Sequence, residues 1–358
     1  FSKGLLLNEI SIAPLTEDIV TLAASASNSI LTDKEKEEID MVIVATESGI
    51  DQSKAAAVFV HGLLGIQPFA RSFEIKEACY GATAALHYAK LHVENSPESK
   101  VLVIASDIAK YGVATPGEPT QGAGSVAMLI TQNPRTMAFN NDNVAQTRDI
   151  MDFWRPNYST TPYVNGLYST QQYLDSLTTT WDEYKKRYDW TMNDFAAICF
   201  HLPYPKLALK GLRKMMDKTL SQEKKDSLQE NFDKSILYSQ MIGNIYTGSL
   251  FLGLLSLLEN AETLKAGDKI ALYSYGSGAV SEFFSGELVE GYEAYLDKER
   301  LSKLKQRTAL SVADYEKVFF EEVQLDESGS AQFAAYEHQD YALVEIVDHQ
   351  RRYSKVEK

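Results

Sequence analysis

The chain has 358 residues, 44% hydrophobic and 11% aromatic, enough to bury one large core or two medium ones without staples. Its formal net charge of −14 opposes binding to nucleic acid or anionic membrane. No run approaches the ~20 consecutive apolar residues of a membrane span, and the opening FSKGLLLNEISIAP lacks signal-peptide features, so a soluble cytoplasmic protein is expected.

In chain order, helical patterns fit 17–31, 52–64, 79–94, 169–188, 205–218 and 247–264. Apolar, β-rich runs fall at MVIVAT (41–46), KVLVIAS (100–106), SVAMLI (125–130), AAICF (196–200), KIALYS (269–274) and AVSEFFS (279–285). The alternation predicts an α/β protein with substantially parallel sheets.

Two pairs of segments repeat at one displacement. DMVIVATE (40–47) matches DFAAICFH (194–201), and GAGSVAML (122–129) matches GSGAVSEF (276–283), both 154 residues apart. An equal offset at separated places implies a duplicated unit. EACYGATAALHYA and GNIYTGSLFLGLL form a looser third pair. In each copy an apolar strand runs into a polar residue at its C-terminal end, Glu47 in the first and His201 in the second, where ligands of α/β sheets collect.

Two cysteines are too few for a disulfide framework or a four-ligand zinc site, so no metal is expected. Cys79 lies where EIKEA gives way to a small-residue helix, and a thiol at a helix N-terminus is stabilised as thiolate. It is either a nucleophile or a packing residue. Cys199 reads as core. His201 is a candidate acid or base near neutral pKa, or a structural histidine. The other five histidines, His61, His87, His92, His338 and His349, have no comparable position. Glu47 closes a strand of apolar and small residues, where desolvation raises a carboxyl toward general-base use, unless it is simply a solvated strand end. Lys206 and Lys210 share a helix face and suit a phosphate or pantetheine chain, or only solvent. The glycine-rich turns GEPTQGAG and SYGSG allow close backbone approach but match no nucleotide fingerprint.

The strings KEACYGAT, VATES, GEPTQGAG, DFWRP, HLPYPK, GNIYTGSL and YSYGSGAV, in this order apart from VATES leading, resemble those of bacterial 3-hydroxy-3-methylglutaryl-CoA synthases, of the thiolase superfamily. The resemblance runs from about residue 8 to about residue 320. It implies a thiolase fold, two similar halves in a five-layer αβαβα sandwich, a homodimer, and a cytoplasmic place on the mevalonate route to isoprenoids. The halves would be 1–136, with Glu47 and Cys79, and 137–358, with His201, Asn244, Ser277 and a C-terminal appendage. Cys79 would take acetyl from acetyl-CoA, Glu47 would deprotonate the acetyl methyl, and His201 would bind and protonate the ketone of acetoacetyl-CoA. Asn244 would orient that second substrate. The N–H groups of Cys79 and Ser277 would hold the oxyanion, and Tyr111, Thr120, Lys206 and Lys210 would contact substrate or its CoA portion. CoA thioesters are substrates in this scheme and no cofactor is required.

The chain departs from the family in three places. Asn165 stands where the family has aspartate, NYSTTPY lacks the usual Gly-His pair, and the family's first strand has no counterpart. Competing implications are an initiating ketoacyl-ACP synthase, which needs no base at Glu47, a biosynthetic thiolase, which needs a second cysteine where Ser277 stands, and a non-catalytic acyl-CoA-binding paralogue.

Overall fold

The computed structural model describes residues 2–335 and 339–357; Phe1 and His338 lie outside the described residues. The helices are α1 (Ser2–Leu5), α2 (Ile19–Asn28), α3 (Asp33–Glu38), α4 (Ala56–Leu64), α5 (Gly81–Asn95) and α6 (Gly166–Arg187), then α7 (Pro205–Met215), α8 (Gln222–Ser235), α9 (Ser239–Ile242), α10 (Ser249–Asn260), α11 (Arg300–Lys305) and α12 (Val312–Phe320). The strands are β1 (Ile39–Ala45), β2 (Arg71–Ile75), β3 (Lys100–Ala109), β4 (Gly122–Ile130), β5 (Met137–Phe139), β6 (Val144–Thr147), β7 (Phe153–Trp154) and β8 (Tyr163–Val164). After them come β9 (Ala197–Phe200), β10 (Lys269–Gly276), β11 (Val280–Leu288), β12 (Ala331–Gln332), β13 (Tyr341–Val347) and β14 (Gln350–Lys355).

The chain forms two compact units. One, called here the Cys79 unit, comprises Phe1–Ile10, Glu77–Tyr80 and Asn133–Arg307; the other, the Glu47 unit, comprises Ser11–Lys76, Gly81–Gln132 and Thr308–Lys358. The tetrapeptide bearing Cys79 thus groups with the later half of the chain, and the C-terminal stretch with the earlier half.

In the Glu47 unit the main sheet has order β2-β1-β3-β4. β1 is parallel to both neighbours, while β4 runs antiparallel to β3. The apolar runs of β1 and β3 are buried almost throughout, as suits strands covered by helices, with α2 and α4 contributing Ile19, Val20 and Val60 to the same core as Val42, Val44 and Ile104. Each such buried side chain stabilises by about 1.5–3 kcal/mol relative to exposure. Asp18 closes a capping box at the start of α2, and Gly65 (φ 64°) ends α4 in the left-handed conformation that glycine adopts without a Cβ penalty. A small sheet, β12-β13-β14, is tied on by Tyr353, whose hydroxyl donates to Asp18 Oδ2 at 2.5 Å.

In the Cys79 unit β9 and β10 are parallel, β11 is antiparallel to β10, and β5 and β6 both pair with β11. The core is aromatic, built from Tyr173, Trp181 and Tyr184 of α6 with Phe195, Phe200 and Phe283.

The duplication read from the sequence has a topological counterpart. β1-β3-β4 and β9-β10-β11 share strand order and direction, a parallel pair followed by an antiparallel strand. β11 carries β5 and β6 on its far side, whereas β4 carries no strand there among the described residues. Both sheets are mixed rather than substantially parallel, because the glycine-rich turns at 117–124 and 277–279 reverse the chain instead of leading into a crossover helix.

Candidate active site

Cys79 lies in a tight loop rather than in a helix. Tyr80 N–H donates to Glu77 O at 2.9 Å, Ala78 takes φ 40°, and the first helical residue is Gly81. Ala78 is therefore held in a region costing an L-residue roughly 1–2 kcal/mol, and such strain persists only where its surroundings over-determine it. Those surroundings include Gly276 at the end of β10. A Cβ at 276 would meet Tyr80 Cβ at 2.6 Å and Glu77 O at 2.7 Å, so the close approach of the Cys79 loop explains the glycine of SYGSG. Cys79 is half-buried; Cys199 is fully buried in β9, and burial pushes its thiol up to about 12. Of the two thiols, Cys79 is the more accessible.

His201 follows β9 directly, its N–H donating to Tyr273 O at 2.8 Å. The ring is 3% exposed, and its buried Nδ1 has no hydrogen-bond partner among the described residues. Burial lowers its pKa to about 3, so the near-neutral titration expected at a strand end does not occur. The imidazole is therefore neutral at neutral pH. The Tyr173 ring lies 6.4 Å from the His201 ring and 5.5 Å from the ring of Tyr275. Tyr173 also donates its hydroxyl to His201 O at 2.8 Å.

Asn244, 3% exposed, precedes α10; its Oδ1 accepts from Tyr246 N at 2.9 Å and Ser249 Oγ at 2.8 Å. Ser277 lies in the turn between β10 and β11. Lys206 and Lys210 sit on α7, whose Pro205 occupies the first helical turn; Lys206 Nζ donates to Lys3 O at 3.4 Å, and Lys210 is exposed. Cys79, His201, Asn244, Ser277, Lys206 and Lys210 thus all belong to one unit.

Glu47, Tyr111 and Thr120 belong to the other. Glu47 is half-buried two residues beyond β1. Its N–H donates at 2.9 Å to Oδ1 of Asp107, a fully buried carboxylate at the end of β3. The same oxygen accepts from Thr46 Oγ1 (2.8 Å), Ser48 N (3.0 Å) and Ser48 Oγ (2.8 Å). Tyr111 opens a loop in which Gly117 packs under its ring, and Thr120 Oγ1 donates to Gly117 O at 2.8 Å.

Two residues that sequence reasoning passed over organise these places. Asp107 is one, signalled only by an aspartate that follows the five apolar residues 101–105 and Ser106. Asp152, the first residue of DFWRP, is the other. Fully buried, it accepts from Tyr275 Oη (2.8 Å) and Gly278 N (2.9 Å), anchoring the turn that bears Ser277. Asn165 caps α6, its Oδ1 accepting from Tyr168 N at 3.1 Å, so the neutral amide supplies the acceptor a helix N-cap needs. Among the described residues no group of three or more His, Cys, Asp or Glu side chains could hold a metal ion, and no helix is long and apolar enough to cross a membrane.

Comparison with known proteins places the whole chain. The family model described as hydroxymethylglutaryl-coenzyme A synthase N terminal matches residues 1–135, and its C-terminal companion matches 143–225 and 213–355. The hydroxymethylglutaryl-CoA synthase of Enterococcus faecalis is 54% identical over 91% of this chain and 85% of its own length. The polyketide-biosynthesis 3-hydroxy-3-methylglutaryl-ACP synthase PksG of Bacillus subtilis is 32% identical over 88% and 80%. A crystal structure of HMG-CoA synthase complexed with CoA superposes with TM-score 0.98 at 67% identity, covering 99% of this chain and 92% of that one. MvaS in complex with 3-hydroxy-3-methylglutaryl coenzyme A gives TM-score 0.85 at 32% identity, with the same coverage. The fold is thus mixed α/β of the thiolase type, and the chain belongs to the hydroxymethylglutaryl-coenzyme A synthase family.

Proposed function

We propose that this chain condenses acetyl-CoA with acetoacetyl-CoA to give 3-hydroxy-3-methylglutaryl-CoA and free CoA, in the cytoplasm, on the mevalonate route. The observation that carries the reading is identity of 54% across 91% of the chain to a hydroxymethylglutaryl-CoA synthase. The competing condensing enzymes have no such support.

The residue roles are those the family resemblance implies. The Cys79 sulfur attacks the acetyl thioester, forming acetyl-Cys79 and expelling CoA as its thiol. The N–H groups of Cys79 and Ser277 hold the oxyanion of that step. Glu47 removes a proton from the acetyl methyl, which the thioester acidifies, leaving an enolate. The enolate carbon attacks the ketone carbon of acetoacetyl-CoA. His201, neutral because burial lowers its pKa, donates a hydrogen bond to the ketone oxygen, and the new alkoxide receives the proton that Glu47 removed, relayed through the imidazole, which ends neutral again. Water then cleaves the acyl-Cys79 thioester. Asn244 positions the second substrate, and Tyr111, Thr120, Lys206 and Lys210 contact the substrates or their CoA portions. The chemistry draws on side chains and two thioesters, without a resident cofactor.

We also assign a homodimer. The outer edge of β2 is unpaired among the described residues, Phe69 before it is 91% exposed, and α5 exposes Tyr88 (48%) and Leu91 (50%). An unpaired edge bordered by exposed apolar side chains is the kind of surface a second copy covers.

The test of the reaction is to mix the chain with both thioesters and follow CoA release and product mass. Formation of 3-hydroxy-3-methylglutaryl-CoA is expected; acetylated protein that never turns over would instead indicate the non-catalytic paralogue.

A further inference from the structure

The C-terminal helix α12 holds the loop that carries Tyr111 and Thr120, through one fully committed amide. Gln121, 3% exposed, accepts from Tyr111 N at 2.6 Å and Gly112 N at 2.9 Å with its Oε1, and donates from Nε2 to the hydroxyl of Tyr315 on α12 at 2.8 Å. That hydroxyl in turn donates to Glu118 Oε1 at 3.1 Å, while Glu118 Oε2 accepts from Ala114 N at 2.8 Å. Lys110 Nζ reaches back to Phe319 O at 2.5 Å and lies over the Phe319 ring. The directions of these bonds are mutually consistent. Oε1 of Gln121 must face two N–H donors, so its amide nitrogen faces Tyr315, whose own proton is left for Glu118.

The loop needs such a tie. Gly112 takes φ 132° and Ala114 φ 56°, so the segment between Tyr111 and Glu118 departs from extended and helical backbone, and its N–H groups at 111, 112 and 114 are satisfied by side chains rather than by a strand. Burial, with Glu118 alongside, raises the Tyr315 hydroxyl to about 12, which keeps its proton in place across the working range.

We propose that Tyr315 is a positioning residue for acyl-CoA binding, acting through Gln121 and Glu118 to set the backbone at Tyr111 and the turn that ends in Thr120. The inference rests on the reading of Tyr111 and Thr120 as substrate contacts. It makes α12, which lies beyond the last of the quoted motifs, a component of substrate recognition.

The test is Tyr315→Phe in the full chain. The ring keeps its packing on Phe319, 5.9 Å between centroids, and only the hydroxyl is removed. KM for acetyl-CoA or acetoacetyl-CoA is expected to rise roughly three- to ten-fold, the range for losing one hydrogen bond, with kcat within about two-fold. Lys317→Ala, at an exposed position of the same helix, serves as the control and leaves both parameters unchanged. A lowered melting temperature with both KM values unchanged would make Tyr315 merely structural and overturn the proposal, as would a fall in kcat alone. Wild-type protein that makes no product would instead sink the underlying reading, so the two failures are distinguishable.

Discussion

The carboxylate of Asp107 holds the backbone of Glu47, accepting its N–H at 2.9 Å while gathering three further donors from Thr46 and Ser48 on the same oxygen. A buried carboxylate serving the turn after β1 is what fixes the direction in which Glu47 leaves the sheet. Asp107→Ala strands those donors, so we expect about 3 kcal/mol of lost stability and a turnover lower by roughly 100-fold as the base loses its placement. Asp107→Asn keeps an acceptor and should retain more of both. Urea denaturation and steady-state CoA release check the pair; wild-type turnover in Asp107→Ala would remove the positioning role.

His201 predicts a pH dependence of stability. Its folded pKa, about 3, lies below the unfolded value of 6.5, so between these values the unfolded chain binds a proton that the folded chain refuses. This group therefore leaves stability untouched above pH 6.5 and lowers it as pH falls toward about 3, by up to about 1.4 kcal/mol per pH unit. In His201→Asn that slope should be flatter in denaturation midpoints taken from pH 7 to 4. An unchanged slope would show that the ring titrates normally.

The assigned dimer face can be broken without touching the chemistry. Leu91→Arg places a charge among exposed apolar side chains on α5, so light scattering should move from twice the chain mass to the chain mass. A wild type that is monomeric at micromolar concentration contradicts the assignment.

How far the sequence can be read depends on where each signal resides. β1, β3 and β10 are apolar runs buried on both faces, so composition located them, whereas Cys79, Glu47 and His201 were singled out as candidates at element ends and took their roles from the family resemblance. β2 escaped because RSFEI is a short, charged edge strand without alternation, and α8 because its sequence QEKKDSLQENFDKS is mostly polar, with four buried residues. Asp107, Asp152, Gln121 and Tyr315 escaped for another reason. Their importance lies in side-chain hydrogen bonds between segments as far as 197 residues apart, which no local pattern encodes. For His201 a strand end suggests solvent access, whereas the ring is buried with Tyr173 beside it.

The division of labour between Cys79 and Glu47 is the central claim, and intact-mass measurement after mixing with acetyl-CoA, followed by addition of acetoacetyl-CoA, tests it most directly. Wild type should gain one acetyl group and lose it on condensation, Glu47→Ala should gain the acetyl group and keep it without forming product, and Cys79→Ala should gain none. Acetylation of Cys79→Ala, or condensation by Glu47→Ala at the wild-type rate, would contradict the account.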